Sequence, residues 1–388
     1  MKKILIVTST STDTISACAY NLYKALKNSG KYDIYVYSID QRDKYSYPFE
    51  KVFPCPAETS GLRGKMAIIK DLRQVKKKLS IDCSISTLTA FTAYNLLSSY
   101  HDAKYAIYHA PAKQSLLFGR LTYLSCLLTI FLSNIFCKQL WAVSEEALDD
   151  INRLSLFKKK NQKIYNIHNY DKIAELADEE TDTGKLDPYV LFVGSLYDLK
   201  GFDRLVRAFH KVAQDCDQLK LLVCGSFRGD VYEKSALTLI EKLKLKNRII
   251  FLGYQSNPYK YMKHSVALVS SSYTESLPGV IIEALSIGVP VISTNSSKGI
   301  WEIFSVLEGY DKNLSKIYQT KCGYITPNKS KLVDFEREEM NNDEICLADA
   351  ITSMVKDPIH VEFDFKEQCE ESYVLKKINL RHNKKTSE

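Results

Sequence analysis

Residues 270–294 read SSSYTESLPGVIIEALSIGVPVIST, and this stretch contains the signals that decide the fold. Pro278 suits the first turn of a helix, where the backbone N–H that proline lacks would have no partner within the helix. Gly288 followed by Pro290 is typical of a helix end. Together these signals predict a short helix over residues 279–287.

A continuous apolar run at 266–269 and the strand-like segment 291–293 lie on either side of this helix. Such runs are typical of parallel strands that are buried on both faces. The segment therefore predicts a strand, a loop, a helix and a second strand. Glu275 falls in the loop at the carboxyl end of the first strand, and Glu283 lies one turn into the helix. Open α/β sheets bind ligands at this edge, and the N–H groups of a helix start suit a phosphate. Glu283 alone is explained equally well as a residue of a solvated helix face.

The same alternation of strand-like and helix-like segments runs through the 388 residues. It predicts an α/β protein with two Rossmann-like, doubly wound domains that face a cleft. We place the N-terminal, acceptor-side domain at 1–173 and the C-terminal, nucleotide-binding domain at 189–360. The acidic, polar stretch 174–188 is predicted to be a linker. A helical tail over 361–388 follows, and packing of this tail back on the first domain is left open.

Charge and cysteine content narrow the class of protein. The formal net charge of +7 is concentrated in residues 1–150, which suggests an anionic partner for the first half. The ten cysteines include no CxxC pair and no close grouping with histidine, as in a cytosolic protein with reduced thiols and no zinc site. The N-terminal sequence MKKILIVTS predicts a first strand rather than a signal peptide.

Two segments of the first half suggest contact with an anionic membrane surface. Residues 62–79 form a basic amphipathic pattern, although an ordinary surface helix that packs its apolar stripe on the sheet is the favoured explanation. Residues 115–137 include the uncharged run 121–137, which is slightly shorter than the roughly 20 residues of a transmembrane helix. We expect a buried or membrane-touching helix there, and a protein peripheral to the inner face of the cell membrane.

Several segments, taken in order, carry a family resemblance that spans most of the chain. They are WAVSEEALDDI (141–151), VGSLYDLKGFDRLVRAF (193–209), the strands LLVCGS and RIIFLGY, TESLPGVIIEALSIGVPVIST, and KCGYITP with LADAI. In this order the chain resembles the retaining glycosyltransferases of the GT-B fold, of the family 4 or group 1 type. That family builds bacterial surface polysaccharides and glycolipids, including lipopolysaccharide and capsule.

The resemblance implies three catalytic residues. Glu275 would hold hydroxyls of the donor sugar near the reacting carbon. Lys200 would neutralise the leaving phosphate, as electrostatic catalysis requires. His109, in YAIYHAPAK, would face the sugar from the first domain, although a lone histidine is more often structural.

The resemblance also implies a nucleotide-sugar site. Glu283 would bind the ribose hydroxyls, because a carboxylate accepts two hydroxyl donors. Backbone N–H groups at the start of the helix would face the diphosphate, and Gly194 would allow its close approach. The complete set is Gly194, Ser195, Lys200, Leu277, Pro278, Gly279, Val280 and Glu283.

Two positions depart from the family pattern. The arginine that gives the family a second cation at the diphosphate is Ser195 here, and Asp13-Thr14 replaces two glycines of the first loop. One cation fewer leaves more phosphate charge uncompensated. Arg228 or Lys298 is a candidate to replace it. These departures bear on activity and not on fold.

The sequence thus predicts a glycosyltransferase of the hexosyltransferase class. It would move a sugar from a nucleotide sugar, most simply a UDP-sugar, to a glycan or lipid-linked acceptor in surface polysaccharide synthesis. No metal or other cofactor is expected, because Lys200 and the helix N–H groups neutralise the phosphate charge, and no Asp-x-Asp motif follows a suitable strand.

Other functions stay open to different degrees. The departure at Ser195 favours a catalytically weak or inactive partner subunit that still binds a nucleotide. An epimerase would share the architecture but would need more candidate bases than His109. No G-x-G-x-x-G follows a strand, which argues against a nicotinamide dehydrogenase, and no basic-aromatic module indicates nucleic-acid binding.

Overall fold

The structure, a computed structural model, describes residues 1–10, 14–39, 47–56, 61–181, 188–330 and 333–378. It divides the chain into two compact units. The first comprises Met1–Asn169 and Glu367–Glu388, and the second comprises Tyr170–Lys366. Each unit is built around its own sheet of seven strands.

The first unit alternates strands and helices from its start. Its strands are β1 (Lys2–Thr8), β2 (Tyr32–Ser38), β3 (Val52–Pro54), β4 (Cys83–Ser86), β5 (Ala103–Tyr108), β6 (Gln139–Ala142) and β7 (Asn161–Lys163). The helices between them are α1 (Thr14–Asn28), α2 (Gly61–Leu79), α3 (Thr89–Leu97), α4 (Arg120–Phe136) and α5 (Glu145–Leu154). The sheet order is β3-β2-β1-β4-β5-β6-β7, and neighbouring strands run parallel.

The second unit repeats this architecture. Its strands are β8 (Tyr189–Val193), β9 (Lys220–Cys224), β10 (Ile249–Gly253), β11 (Ala267–Ser270), β12 (Val291–Thr294), β13 (Tyr318–Thr320) and β14 (Gly323–Thr326). Its helices are α6 (Tyr170–Ala177), α7 (Phe202–Asp215), α8 (Asp230–Lys242), α9 (Tyr259–Lys263), α10 (Gly279–Ser286), α11 (Lys298–Ile303) and α12 (Asn342–Lys356). The order is β10-β9-β8-β11-β12-β14-β13, with β13 antiparallel to β14.

The chain then returns to the first unit through α13 (Glu371–Lys377). Cys369, Val374 and Ile378 of this segment are buried, and the carbonyl of Cys369 accepts a hydrogen bond from the backbone N–H of His168. The C-terminal segment is therefore part of the first unit's core.

The predicted fold class is confirmed for each unit: both are doubly wound α/β units. In the second unit the strand order reverses between β8 and β11, which places a ligand crevice at the carboxyl ends of these two strands. The central strands are apolar because they are covered on both faces, and in β8 Val190 and Leu191 have no exposed surface. The predicted helix over 279–287 is α10, one residue shorter.

The boundaries differ from those expected. The first unit ends at Asn169 rather than at 173, and the first four residues of the predicted linker, 174–177, belong to helix α6 of the second unit. The acidic composition suggested a linker, but one side of that helix is apolar, and Ile173 and Ala177 are buried there. The tail joins the first unit from Glu367 rather than from 361.

The two proposed membrane segments are both helices. In α2 the buried side chains include Ile68, Leu72 and Lys76, so the helix packs one face inward, as an ordinary surface helix does. Helix α4 covers most of the uncharged run 121–137. Among the helices of the described ranges, none is long and apolar enough to cross a bilayer.

Candidate active site

Lys200 and Glu275, 75 positions apart in the chain, meet as an ion pair. Lys200 ends a 3-10 turn after β8, and Glu275 lies in the loop after β11. Because β8 and β11 are neighbouring parallel strands, their carboxyl ends bring the two loops together. Nζ of Lys200 lies 2.7 Å from Oε1 of Glu275, and the hydroxyl of Ser272 donates to the same oxygen at 2.8 Å.

The pair is partly accessible, and its lysine stays charged. The side chains of Lys200 and Glu275 are 24% and 16% exposed, so a ligand can reach both. Burial on its own lowers the pKa of Lys200, but the charge and hydrogen bond of Glu275 more than offset this, and the pKa is raised above its ordinary value. Lys200 is therefore a cation throughout the physiological pH range. An incoming anion would have to compete with Glu275 for it.

Helix α10 presents its start at the same edge of the sheet. The sequence predicts Pro278 inside the first turn, but Pro278 lies one residue earlier, as the extended N-cap. Its carbonyl accepts the first hydrogen bond of the helix, from the N–H of Ile281 at 3.2 Å. Leu277 is buried and fixes the loop, and Gly279 and Val280 occupy the first turn. The first N–H groups of a helix have no acceptor within it, which suits an anion.

Glu283 lies one turn further along α10 in a protein environment rather than on a fully solvated face. Burial raises the pKa of Glu283 to about 7, and a hydrogen bond with Tyr259 acts in the opposite direction. A carboxyl group with this pKa changes its charge near neutral pH. Glu283 is therefore an acceptor for hydroxyl groups mainly above neutral pH.

Gly194 follows β8 and contacts the backbone after β9. Its carbonyl oxygen lies 1.9 Å from the position that a Cβ on Gly225 would occupy. The two strand ends therefore approach more closely than any side chain at Gly225 would allow. Ser195, the next residue, is partly exposed at this edge.

Gly201 allows the turn with Lys200 to pack on the loop with Glu275. It has φ +61°, and a Cβ there would lie 2.2 Å from the carbonyl oxygen of Ser271. The hydroxyl of Ser271 in turn donates to the carbonyl of Lys200 at 3.0 Å. The geometry of the ion pair thus depends on a residue without a side chain.

A buried polar network supports the loop that carries Glu275, and the sequence analysis missed it. The hydroxyl of Tyr273 donates to the buried carboxylate of Asp203, and the guanidinium of Arg204 stacks 3.9 Å from the Tyr273 ring centre. Arg204 donates to the side-chain oxygen of Asn328 at 2.7 Å. The amide of Asn328 donates to the carbonyl of Tyr273 at 3.0 Å.

The sequence contained a signal for this network. Residues 202–209 read FDRLVRAF, and the structure buries all eight of them. A helix that is buried on every side yet carries Asp203, Arg204 and Arg207 must pair these charges internally. Arg207 does so with Asp203 at 2.6 Å and with Glu344 at 2.9 Å.

Arg228 is the better placed of the two candidates for a second cation. Its guanidinium lies 4.9 Å from the ring centre of Tyr197, in the turn that leads to Lys200. Its charge is close enough to lower the pKa of Lys200, against the larger effect of Glu275. Lys298 is the first residue of α11 and is partly buried.

His109 belongs to the first unit, directly after β5. It lines a recess together with Thr87, Trp141 and Asn166. Apolar side chains line most of the rest, among them those of α1 and of the C-terminal segment. The structure thus places His109 at a strand end, as expected. Asp13, one of the two residues that replace the glycines of the family's first loop, lies outside the described residues. Within those residues no three His, Cys, Asp or Glu side chains gather in a way that could hold a metal ion.

Comparison with known proteins finds similarity mainly in the second unit. Residues 174–319 match the family described as Glycosyl transferases group 1. An uncharacterized glycosyltransferase of Methanocaldococcus jannaschii is 33% identical over 208 residues, which cover 52% of this chain and 50% of that protein. The N-acetylgalactosamine-N,N'-diacetylbacillosaminyl-diphospho-undecaprenol 4-alpha-N-acetylgalactosaminyltransferase of Campylobacter jejuni is 31% identical over 156 residues, or 40% of each chain. The chain thus matches half or less of the length of these curated relatives.

The fold as a whole is shared with solved glycosyltransferase structures. HepE from Anabaena, determined in complex with UDP and glucose, superposes with a TM-score of 0.72 over 97% of this chain and 98% of its own. The sequence identity is 16%, so this likeness establishes the fold alone. Residues 174–319 are thus similar to the Glycosyl transferases group 1 family, and the chain as a whole has the two-unit α/β fold of the GT-B class.

Proposed function

We propose that the protein is a retaining glycosyltransferase that moves a sugar from a nucleotide sugar to a glycan or lipid-linked acceptor in bacterial surface polysaccharide synthesis. The observation that carries the proposal is the accessible Lys200–Glu275 pair beside the start of α10. A cation, a sugar-binding carboxylate and free helix N–H groups are the parts that a nucleotide diphosphate sugar requires.

The choice of substrates draws on the relatives. UDP is favoured as the nucleotide because HepE was determined with UDP and glucose. A lipid-linked acceptor is favoured because the name of the Campylobacter jejuni relative specifies a diphospho-undecaprenol acceptor. We place the acceptor on the basic first unit, at the inner face of the cell membrane.

In the proposed step, the bond between the anomeric carbon and the diphosphate oxygen breaks, and the electron pair stays with that oxygen. A bond forms from the anomeric carbon to the acceptor hydroxyl oxygen on the same face of the sugar, and the hydroxyl proton passes to the released diphosphate. Lys200 and the N–H groups of Gly279 and Val280 stabilise the developing phosphate charge. Glu275 holds sugar hydroxyls, and the family resemblance implies a role in sugar binding for His109.

The alternative is a partner subunit that binds a nucleotide without transferring sugar. The absence of a cation at Ser195 favours it, because Lys200 is already paired with Glu275. Arg228 argues against it, since its position beside Tyr197 supplies a positive charge near Lys200.

Calorimetric titration with UDP, GDP and ADP tests the donor site. We expect UDP to bind, and Glu283→Gln to weaken binding at pH 8 by roughly tenfold or more, since it removes hydrogen bonds to a charged acceptor. Glu233→Gln, in the first turn of α8, is the matched control. The proposal fails if no nucleotide binds.

Product analysis tests the chemistry. UDP-sugars are incubated with a polyprenyl diphosphate glycan, and UDP release and the anomeric configuration of the product are measured by NMR. A product that keeps the donor configuration supports retention, and an inverted product overturns it. Nucleotide binding without product from any donor would support the partner-subunit alternative.

A further inference from the structure

Helix α4 differs from an ordinary surface helix, because several polar side chains are buried and several large apolar side chains are exposed. Its buried face carries polar side chains: Thr129, Ser133 and Asn134 are 6% exposed or less. Ser133 accepts a hydrogen bond from the hydroxyl of Tyr108 at 2.9 Å. Asn134 accepts one from the N–H of Phe157 at 2.8 Å. The helix is thus attached to the first unit through these polar contacts and through buried Ile130, which packs in the unit's apolar core.

The outward face is apolar. Leu121, Leu124, Leu128 and Phe131 recur at intervals of three and four residues along α4, and Leu117 precedes the helix in the 3-10 turn 112–118. The side chains of these five residues are between 38% and 83% exposed. We call these five residues the outer stripe. Each large apolar side chain left in water forgoes roughly 1.5–3 kcal/mol of burial free energy. Contiguous exposed apolar surface of this kind marks an interaction site.

A second apolar element continues the outer stripe at the end of α4. Leu156 and Phe157 are 64% and 52% exposed. They are held beside α4 by Asn134, whose side-chain amide also donates to the carbonyl of Phe157 at 3.2 Å. Lys160, in the same loop, donates to the carbonyls of Asn134 and Ile135 at 3.0 and 3.1 Å.

The rim of this surface is cationic. Exposed lysine and arginine side chains lie at both ends of α4: Lys113, Arg120, Lys138, Lys158 and Lys159. No aspartate or glutamate occurs between residues 103 and 144. Acidic residues follow in α5, and among them Glu145 is paired with Lys163 and Asp150 with Arg153. The electrostatic potential around the outer stripe is therefore positive.

We infer that the outer stripe, with Leu156 and Phe157, inserts into the headgroup region of an anionic lipid bilayer, and that Lys158, Lys159 and Arg120 contact the lipid phosphates. An apolar face with a lysine-rich border is the pattern of helices that lie in the plane of a membrane interface. This assigns the membrane surface to α4 rather than to α2, which packs Ile68 and Leu72 inward.

A second copy of the chain is the less favourable occupant of the same face. If two copies of α4 packed antiparallel, Arg120 of one would lie near Lys158 and Lys159 of the other. If they packed parallel, each cation would face its own counterpart. Both arrangements bring like charges together in a desolvated interface, which costs free energy, whereas anionic lipids neutralise them.

Co-sedimentation with vesicles tests the inference on the full chain. We expect stronger binding to vesicles of phosphatidylcholine mixed with phosphatidylglycerol than to phosphatidylcholine alone. The triple variant Leu121→Gln/Leu124→Gln/Leu128→Gln should lower the partition coefficient at least about tenfold, since three apolar side chains no longer insert. Val231→Gln/Leu237→Gln, on exposed positions of α8, is the matched control and should bind as the wild type does.

A charge variant tests the rim separately from the apolar face. Lys158→Gln/Lys159→Gln should lower binding to the anionic vesicles by about fivefold per lysine and should leave binding to phosphatidylcholine unchanged. Lys244→Gln/Lys246→Gln, exposed in the second unit, is its control. Wild-type binding by both the triple and the charge variants overturns the inference, as does absence of vesicle binding. So does a wild-type dimer that the triple variant converts to a monomer. Vesicle binding needs no nucleotide, so these outcomes are independent of the proposed sugar transfer.

Discussion

At the scale of single residues, the Lys200–Glu275 pair decides what the site can do. The cation and the carboxylate are held in contact before any ligand arrives. A donor diphosphate would therefore take Lys200 from Glu275, and Glu275 would take sugar hydroxyls in return. This exchange links phosphate binding to sugar binding, which suits a site that must hold both halves of one donor.

Removing either partner should reduce transfer more than it reduces nucleotide binding. We expect Lys200→Met and Glu275→Gln each to lower kcat by about a hundredfold or more, as loss of one charge-stabilising group does in other enzymes. Lys246→Met, at an exposed position, is the control. Rates of UDP release with donor and acceptor are the measurement, and an unchanged kcat in both variants would remove the pair from the mechanism.

Glu283 should give the binding of UDP a pH dependence near neutrality. Burial raises its pKa to about 7, so the carboxylate that is proposed to accept ribose hydroxyls is lost by protonation as the pH falls. Between about pH 8 and pH 6 the wild type should lose roughly tenfold in affinity beyond the loss shown by Glu283→Gln. The phosphates of UDP titrate equally with both proteins, so the difference isolates Glu283. Parallel pH profiles would show that this carboxyl does not contact the nucleotide.

At the scale of secondary-structure elements, the site depends on turns that have no room for side chains. Gly201 and Gly253 share a left-handed φ, at +61° and +68°, but only at Gly201 would a Cβ collide with another backbone. Gly253→Ala should cost roughly 1–2 kcal/mol of unfolding free energy from the conformation alone. Gly201→Ala should cost clearly more, because the loops with Lys200 and Glu275 must separate. Urea unfolding of both variants measures this, and equal losses would contradict the packing argument.

The elements around Glu275 also show what the sequence could and could not predict. Helix α10 and its flanking strands were predictable, because Gly288, Pro290 and two apolar runs act locally. The contact between Lys200 and Glu275 was not, since it follows from the adjacency of β8 and β11, which no local pattern encodes. The partners within the network of Asp203, Arg204 and Tyr273 were hidden for the same reason: charges set among the apolar residues of 202–209 indicate internal pairing but do not say with which residues.

For helix α4 the composition of the sequence was informative, but it did not predict the orientation of the helix, that is, which face is buried. An uncharged run predicts burial or contact with lipid equally well. The structure separates the two, because Ser133 and Asn134 face the unit and Leu121 and Leu128 face outward. The buried contacts of such a helix, those of its polar residues among them, determine which side is the inner one.

At the scale of the whole molecule, the first unit is built from two separate segments of the chain, and the second unit lies between them in sequence. The first unit is completed by the last described segment, Glu367 onward, after the chain has built the second unit. Sequence patterning placed a helical tail there but could not choose its partner, because three buried residues spread over ten positions form no repeat. The first unit therefore folds to completion only once the second has been synthesised.

Truncation should expose this dependence. A chain that ends at Lys366 lacks Cys369, Val374 and Ile378, which are at most 7% exposed. Loss of the two aliphatic side chains should destabilise the first unit by roughly 1.5–3 kcal/mol each. A chain that ends at Ile378 keeps all three residues and is the control.

Thermal unfolding with and without UDP separates the two units in this experiment. A ligand raises the unfolding temperature of the unit that binds it. In the chain that ends at Lys366, we expect the transition that UDP shifts to keep its midpoint, and the other transition to move to lower temperature. An equal fall of both midpoints would mean that the C-terminal segment supports the second unit as well. Since the contacts of that segment lie with β7 and α1, the selective effect is the outcome that the fold requires.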